Sequence, residues 1–84
     1  MDFSKYKYSP KDFEGIPAMP DDLMAFYEAL EAYRADKSFL NRIFLKDKIE
    51  DIELTLKHRM QNGLLSPGLA GEIDRYIGEL IYDA

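Results

Sequence analysis

The sequence has no cysteine, one histidine and no long apolar run. Without cysteine the chain forms no disulfide and offers no thiolate for metal or nucleophilic chemistry. A Ser-His-Asp triad or a multi-histidine metal site would have to be built around His58 alone. No stretch approaches the roughly 18 apolar residues of a membrane span, and the N-terminus lacks the apolar core of a secretory signal. We therefore expect no membrane insertion, no cofactor and a cytoplasmic location.

Residues that favour strands are also scarce. Valine is absent and threonine occurs once, at Thr55, whereas leucine, alanine, glutamate and lysine are common. This composition favours helix over strand. With 84 residues, 46% of them hydrophobic and 32% charged, the chain has the size and composition of one small globular domain. We predict an all-α fold in a single domain over residues 1–84.

Proline is concentrated in residues 1–20, where Pro10, Pro17 and Pro20 interrupt helix formation. The same segment carries large apolar side chains: Phe3, Tyr6, Tyr8, Phe13, Ile16 and Met19. A flexible tail would not need them. We predict an extended aromatic arm over residues 1–20 that packs on the helices. The alternative is an arm that docks on a partner.

The helical bundle is predicted over residues 21–84. A first helix over 21–36 begins at Asp21 or Asp22, because aspartate is a good N-cap. Asn62-Gly63 is typical of a helix end and is expected to terminate the central helix. Ser66-Pro67 is typical of a helix start, which predicts a third helix over 66–82. Gly71 and Gly78 lie inside it and either permit close approach of another helix or are simply tolerated. Apolar residues share one face in each helix: Leu23, Phe26, Tyr27, Leu30 and Tyr33 in the first, and Leu69, Ile73, Tyr76, Ile77 and Leu80 in the third.

The central segment, residues 38–62, has two apolar faces about 180° apart on a straight helix. One face carries Phe39, Leu40, Ile43 and Phe44, and the other carries Leu45, Ile49, Ile52, Leu56 and Met60. Either the chain breaks or kinks near residues 45–47, giving a short helix and a longer one, or one long helix contacts different partners on opposite sides. The absence of proline and glycine favours one helix with part of an apolar face exposed to a partner or a second subunit. The second face is better explained as the core of a small bundle than as a dimer seam.

The charge is distributed unevenly along the three predicted helices. The net charge of the chain is −5, with −4 over residues 21–36, +2 over 37–62 and −3 over 63–84. A central helix packed between the outer two would bring opposite signs together. The negative total disfavours binding to duplex nucleic acid. The predicted architecture is a three-helix bundle with a long central helix between two acidic ones.

No motif supports catalysis or metal binding. His58 lies between two cations, Lys57 and Arg59, and is best explained as a surface residue. Asp47, Glu50 and Asp51 share a helical face, but interleaved lysines indicate a solvated charged surface rather than a metal site. Lys5-Tyr6-Lys7-Tyr8 alternates cations with aromatic rings, as proteins that bind single-stranded nucleic acid do. The pattern covers only four residues and is a weak indication of such binding. We do not expect an enzyme.

The function expected from these features is protein binding. A small, acidic, non-catalytic domain fits a regulator or inhibitor of a larger macromolecule, such as a phage or mobile-element accessory, immunity or anti-defence protein. Carboxylates on the outer helices would meet a basic partner surface, and tyrosine is common at interfaces. The candidate partner-binding residues are Asp22, Glu28, Glu31, Glu72, Glu79, Asp83, Tyr6 and Tyr8. The alternative is a structural or assembly subunit that forms homo-oligomers through its central helix.

Overall fold

The computed structural model describes residues 3–84, and these form helices without any strand. A 3₁₀ helix at Pro10–Phe13 is followed by α1 at Met19–Ala35, α2 at Phe39–Gln61 and α3 at Pro67–Tyr82. Within the described range, none of these helices is long and apolar enough to cross a membrane. The prediction of an all-α three-helix fold is confirmed.

The start of α1 differs from the prediction, since the helix begins at Met19 and neither Asp21 nor Asp22 caps it. The residue before it, Ala18, has φ 67° and ψ −14°, in the left-handed region, and no side chain caps the helix. Pro20 lies in the first turn, where a missing N–H costs nothing because these amides have no partner within the helix. Met19 is fully buried, which indicates that its packing, rather than a cap, fixes where α1 begins.

α2 is one uninterrupted helix with no break near residues 45–47. The Ser38 hydroxyl caps its beginning by accepting a hydrogen bond from the Asn41 N–H at 3.2 Å. After its last residue the chain turns at Gly63, where φ is 76° and a residue without Cβ is favoured. The two opposed apolar faces predicted for this segment therefore belong to a single helix.

The core forms where α2 packs against both α1 and α3. On α2 the buried face includes Leu45, Ile52 and Leu56, while Ile49 and Met60 are half-buried. This confirms that the Leu45–Met60 stripe belongs to the core. The largest fully buried side chains are Tyr27, Phe26, Met19, Leu23, Leu30, Ile52, Ile73 and Ile77.

Ion pairing between helices does not accompany this packing. Among residues 3–84, no salt bridge joins α2 to α1 or α3. Lys48 instead pairs within its own helix, with its Nζ 3.9 Å from an Asp47 oxygen and 3.7 Å from an Asp51 oxygen. The polar links between α1 and α2 are hydrogen bonds. The Thr55 hydroxyl donates to the Asp22 carboxylate, and the Asn41 side-chain amide donates to the backbone oxygen of Ala32 at 3.3 Å. Burial of apolar side chains therefore holds the helices together.

The glycines inside α3 do not mark a close helix contact. A Cβ built at Gly71 or Gly78 meets no neighbouring atom of the described residues within 4 Å. Both positions have ordinary helical backbone angles, since neither φ is positive. They are sites where glycine is tolerated and where space is open.

Gly78→Ala should stabilise the protein by up to about 1 kcal/mol, because alanine restricts the unfolded chain more than glycine does and fits the open space. A chemical denaturation curve of the variant beside the wild-type protein measures this difference. A lower stability would mean that some atom does approach position 78.

Candidate functional site

The N-terminal arm packs against α1 through its aromatic rings. The Tyr6 ring stacks on that of Tyr27, with centroids 3.9 Å apart and an interplanar angle of 4°. Phe13, in the 3₁₀ helix, is 3% exposed. The Tyr27 hydroxyl donates a hydrogen bond of 2.6 Å to the backbone oxygen of Tyr8. Burial raises the pKa of Tyr27 far above its usual value, so this donor keeps its proton.

The arm also contacts α3. The Lys7 backbone N–H donates a hydrogen bond of 2.8 Å to the Tyr76 hydroxyl. The Tyr8 ring meets the Tyr76 ring edge-on at 5.4 Å, and its hydroxyl donates to a Glu72 oxygen at 3.4 Å. The arm therefore links α1 to α3, which confirms the prediction that it packs within the chain.

Two of the predicted partner-binding residues, Tyr6 and Tyr8, take part in this packing. Tyr6 is 8% exposed and its hydroxyl is buried without a hydrogen-bond partner. Burial raises its pKa, and the nearby negative charge of Glu31 adds to the rise. Tyr8 is half-buried between Tyr76 and Phe13. Tyr6 thus lies in the core, and Tyr8 keeps only part of its surface for a partner.

Two of the predicted carboxylates also have partners inside the molecule. Lys5 Nζ lies 2.6 Å from a Glu31 oxygen, and this hydrogen bond holds the Glu31 pKa below its usual value. Asp22 is half-buried and accepts the hydrogen bond from Thr55. Both side chains join elements of the fold, the arm to α1 and α1 to α2.

The other four predicted carboxylates face solvent. Glu28 lies on α1 and is exposed, as are Glu72, Glu79 and Asp83 at the third helix and its C-cap. Glu72 also accepts the hydrogen bond from Tyr8. Of the eight predicted residues, Glu28, Glu79 and Asp83 are therefore exposed with no partner described for their side chains.

The largest exposed apolar surface lies on the N-terminal half of α2. We call Phe39, Leu40, Ile43 and Phe44 the α2 patch. Their exposed fractions are 73%, 77%, 48% and 48%. Basic side chains flank it, and Lys48 Nζ lies 5.1 Å from the Phe44 ring centroid. The sequence predicted this face, although none of its members was among the eight candidate residues.

An open groove of about 670 Å³ runs between α2 and α3. Its apolar wall on α2 includes Leu54, which is 52% exposed, and Met60. Its wall on α3 is made of small residues, Pro67, Ala70 and Gly71. Sequence analysis missed this α2–α3 groove. The one signal for it was Leu54, an apolar residue that belongs to neither predicted stripe of α2.

Three carboxylates line the same groove, Glu50 and Glu53 on α2 and Asp74 on α3. We call them the acidic rim. Partial burial raises the pKa of Glu53, and the negative charges of Asp74 and Glu50 add to the rise. Lys57 is the one cation lining the groove, and within residues 3–84 no salt bridge involves any of these three carboxylates. The groove therefore carries a net negative charge, three carboxylates against one lysine, beside an apolar wall.

The described part of the chain contains no group of three or more histidine, aspartate or glutamate side chains placed to hold a metal ion. His58 is exposed on α2, as predicted. No protein-family model matches the sequence, and neither the curated proteins nor the solved structures include a significant match.

Proposed function

We propose that the protein acts by protein–protein contact through the α2 patch. The observation that carries this proposal is the exposure of four large apolar side chains on adjacent turns of one helix. A continuous apolar surface on a small domain is typical of an interaction site, since covering it removes apolar area from water. The interior is already filled by the opposite face of α2, so the fold itself does not need this patch.

The first candidate role is the one expected from the sequence, a regulator or inhibitor that binds a larger macromolecule in the cytoplasm. Its support is the combination of an apolar contact surface with exposed carboxylates at Glu28, Glu79 and Asp83. In this role the patch supplies the binding energy, and the carboxylates draw in a basic partner surface from a distance.

Self-association through α2 is the second candidate role, favoured by the way charge changes along that helix. Residues 39–48 carry Arg42, Lys46 and Lys48 against one acid, whereas residues 49–56 carry Glu50, Asp51 and Glu53 and no base. An antiparallel neighbour of the same sequence would place basic segments beside acidic ones. The two roles share the contact surface and differ in its occupant.

Leu40→Glu should abolish contacts made through the patch, because a carboxylate would replace its most exposed side chain. Affinity capture with the tagged protein, together with light scattering of the purified protein, measures partners and mass. Tyr82→Glu is the matched control, since Tyr82 is 91% exposed on α3 and is not a member of the patch. If the Leu40 variant keeps both the mass and the partners of the wild-type protein, the patch is not the contact surface.

Charge reversal at Glu28 and Glu79 should slow association with a larger partner while the fold stays intact. These two positions are chosen because Glu31 bonds Lys5 and Glu72 accepts from Tyr8, so reversing those would also loosen the arm. Stopped-flow or surface-binding association rates, measured at rising salt, provide the readout. Rates that respond neither to salt nor to reversal would remove the carboxylates from the mechanism and leave an apolar contact alone.

A further inference from the structure

The α2–α3 groove has the properties of a receptor for a basic, apolar helix. Its walls are apolar at Leu54 and Met60, and small residues on α3 leave it open. The acidic rim lies alongside without a bonded cation among the described residues. A segment that brings both apolar and cationic side chains would cover the walls and neutralise the rim.

The α2 patch has the complementary properties. It is helical, its four large side chains point to solvent, and its cations are Arg42, Lys46 and Lys48. Lys48 is engaged with its own Asp47 and Asp51, which leaves Arg42 and Lys46 as cations with no salt bridge in the described chain. One molecule therefore carries both a basic apolar helix and an acidic apolar groove.

We infer that two copies of this chain pair through antiparallel α2 helices, with the α2 patch of each copy seated in the α2–α3 groove of the other. The inference rests on the proposed function, in which the α2 patch is the contact surface, and it names the occupant as a second copy. The contact is self-complementary, as a two-fold dimer requires.

The spacing along α2 is compatible with this arrangement. Ile43, near the middle of the patch, and Leu54, on the groove wall, are separated by roughly 16 Å along the axis of α2, given the rise of about 1.5 Å per residue in an α-helix. A two-fold axis near the middle of α2 brings Ile43 of each copy level with Leu54 of the other. Both patches and both grooves are then covered at once.

The buried area fits a specific but modest dimer. Four large side chains at the observed exposures present an area on the order of 500 Å². Since the contact is made twice, two patches and two groove walls bury an area on the order of 1,500 Å² in total, which lies within the usual range of specific interfaces.

A charge exchange between two variants tests the pairing. The first variant, Arg42→Glu with Lys46→Glu, makes the patch side acidic. The second, Glu50→Lys with Glu53→Lys, makes the groove basic. In a dimer of the first variant, an acidic patch would face an acidic groove, and in a dimer of the second, a basic patch would face a basic groove. In a mixed dimer, the acidic patch of the first variant faces the basic groove of the second, and the basic patch of the second faces the acidic groove of the first. All four positions are exposed, and circular dichroism confirms that each variant is folded.

Sedimentation equilibrium should show a dimer for the wild-type protein. For each variant alone, the dissociation constant of the dimer should be at least roughly tenfold higher. The equimolar mixture should regain the dimer. A wild-type protein that stays monomeric at concentrations of several hundred micromolar, or a mixture no more associated than its separate components, would overturn the inference.

Filling the groove provides a second test that does not involve charge. Gly71→Leu should block dimerisation, because the leucine would occupy the groove wall, whereas Gly78→Leu, in equally open space on the same helix, should not. Equal dimerisation of the two variants would exclude the groove.

If the wild-type protein is monomeric yet Leu40→Glu loses a captured partner, the dimer is wrong and the proposed function stands. If Leu40→Glu changes neither mass nor partners, both fail.

Discussion

Ile52→Asp is expected to unfold the protein. Ile52 is 0% exposed in the middle of α2, where it faces the core. The substitution removes buried apolar volume and places a carboxylate where it has no partner, which together cost roughly 5 kcal/mol or more. A domain of this length has a total stability of about 4–13 kcal/mol. Thermal unfolding followed by circular dichroism should show loss of the transition or a fall of more than roughly 15 °C.

Leu64→Asp is the matched control, since Leu64 follows the same helix, is 49% exposed and belongs neither to the α2 patch nor to the lining of the α2–α3 groove. Its carboxylate would remain in water, so the melting temperature should change little. The sequence alone allowed Ile52 to be either core or interface. The structure places it in the core, so the outcome should be unfolding rather than dissociation into folded monomers. Equal melting of the two variants would show that the assignment of the α2 faces is wrong.

Deletion of residues 1–14 should clearly lower the stability, because it removes several packed rings, and burial of even two such rings contributes roughly 3–6 kcal/mol before the entropy of ordering the arm is counted. It takes away Tyr6 from its stack on Tyr27 and Phe13 from the core. It also removes the hydrogen bonds that Lys7 and Tyr8 make with α3. Denaturant unfolding of the truncated and full-length chains measures the loss.

Point variants at Tyr6 separate ring packing from the rest of the deletion. Tyr6→Phe keeps the stacked ring and removes a buried hydroxyl that has no hydrogen-bond partner, so it should be neutral or slightly stabilising. Tyr6→Ala should cost about 3–5 kcal/mol. A truncated chain that melts like the full-length protein would mean that the arm contributes nothing to the core and is free to bind elsewhere.

Most helix boundaries could be predicted because their signals are local. Ser38 and Ser66 each accept a hydrogen bond from the backbone N–H three residues on, and Gly63 adopts the positive φ that ends a helix. These interactions span a few residues, so the sequence contains all the necessary information. The start of α1 was mispredicted because Met19 is held by long-range packing, which outweighed the capping preference of the aspartates.

The candidate site was harder to predict, because a carboxylate or tyrosine is equally able to bind a partner or to hold the fold. Asp22 and Glu31 lie off the apolar stripe of their helix, and this placement suggested solvent exposure. Thr55 and Lys5, distant in sequence, turned out to be their partners. The α2–α3 groove depends on how two helices diverge, and no local pattern encodes that distance.

The sequence by itself determined the fold class and the existence of two opposed apolar faces on α2, and it favoured one continuous helix there. Helical periodicity and the absence of proline and glycine are properties of neighbouring residues. Only the tertiary structure decided which of these faces is buried. It also decided that the arm packs on α1 and α3, and that Glu50, Glu53 and Asp74 converge beside Leu54. The physical reason is that burial and charge convergence depend on segments far apart in the chain, and the packing of the core fixes their relative positions.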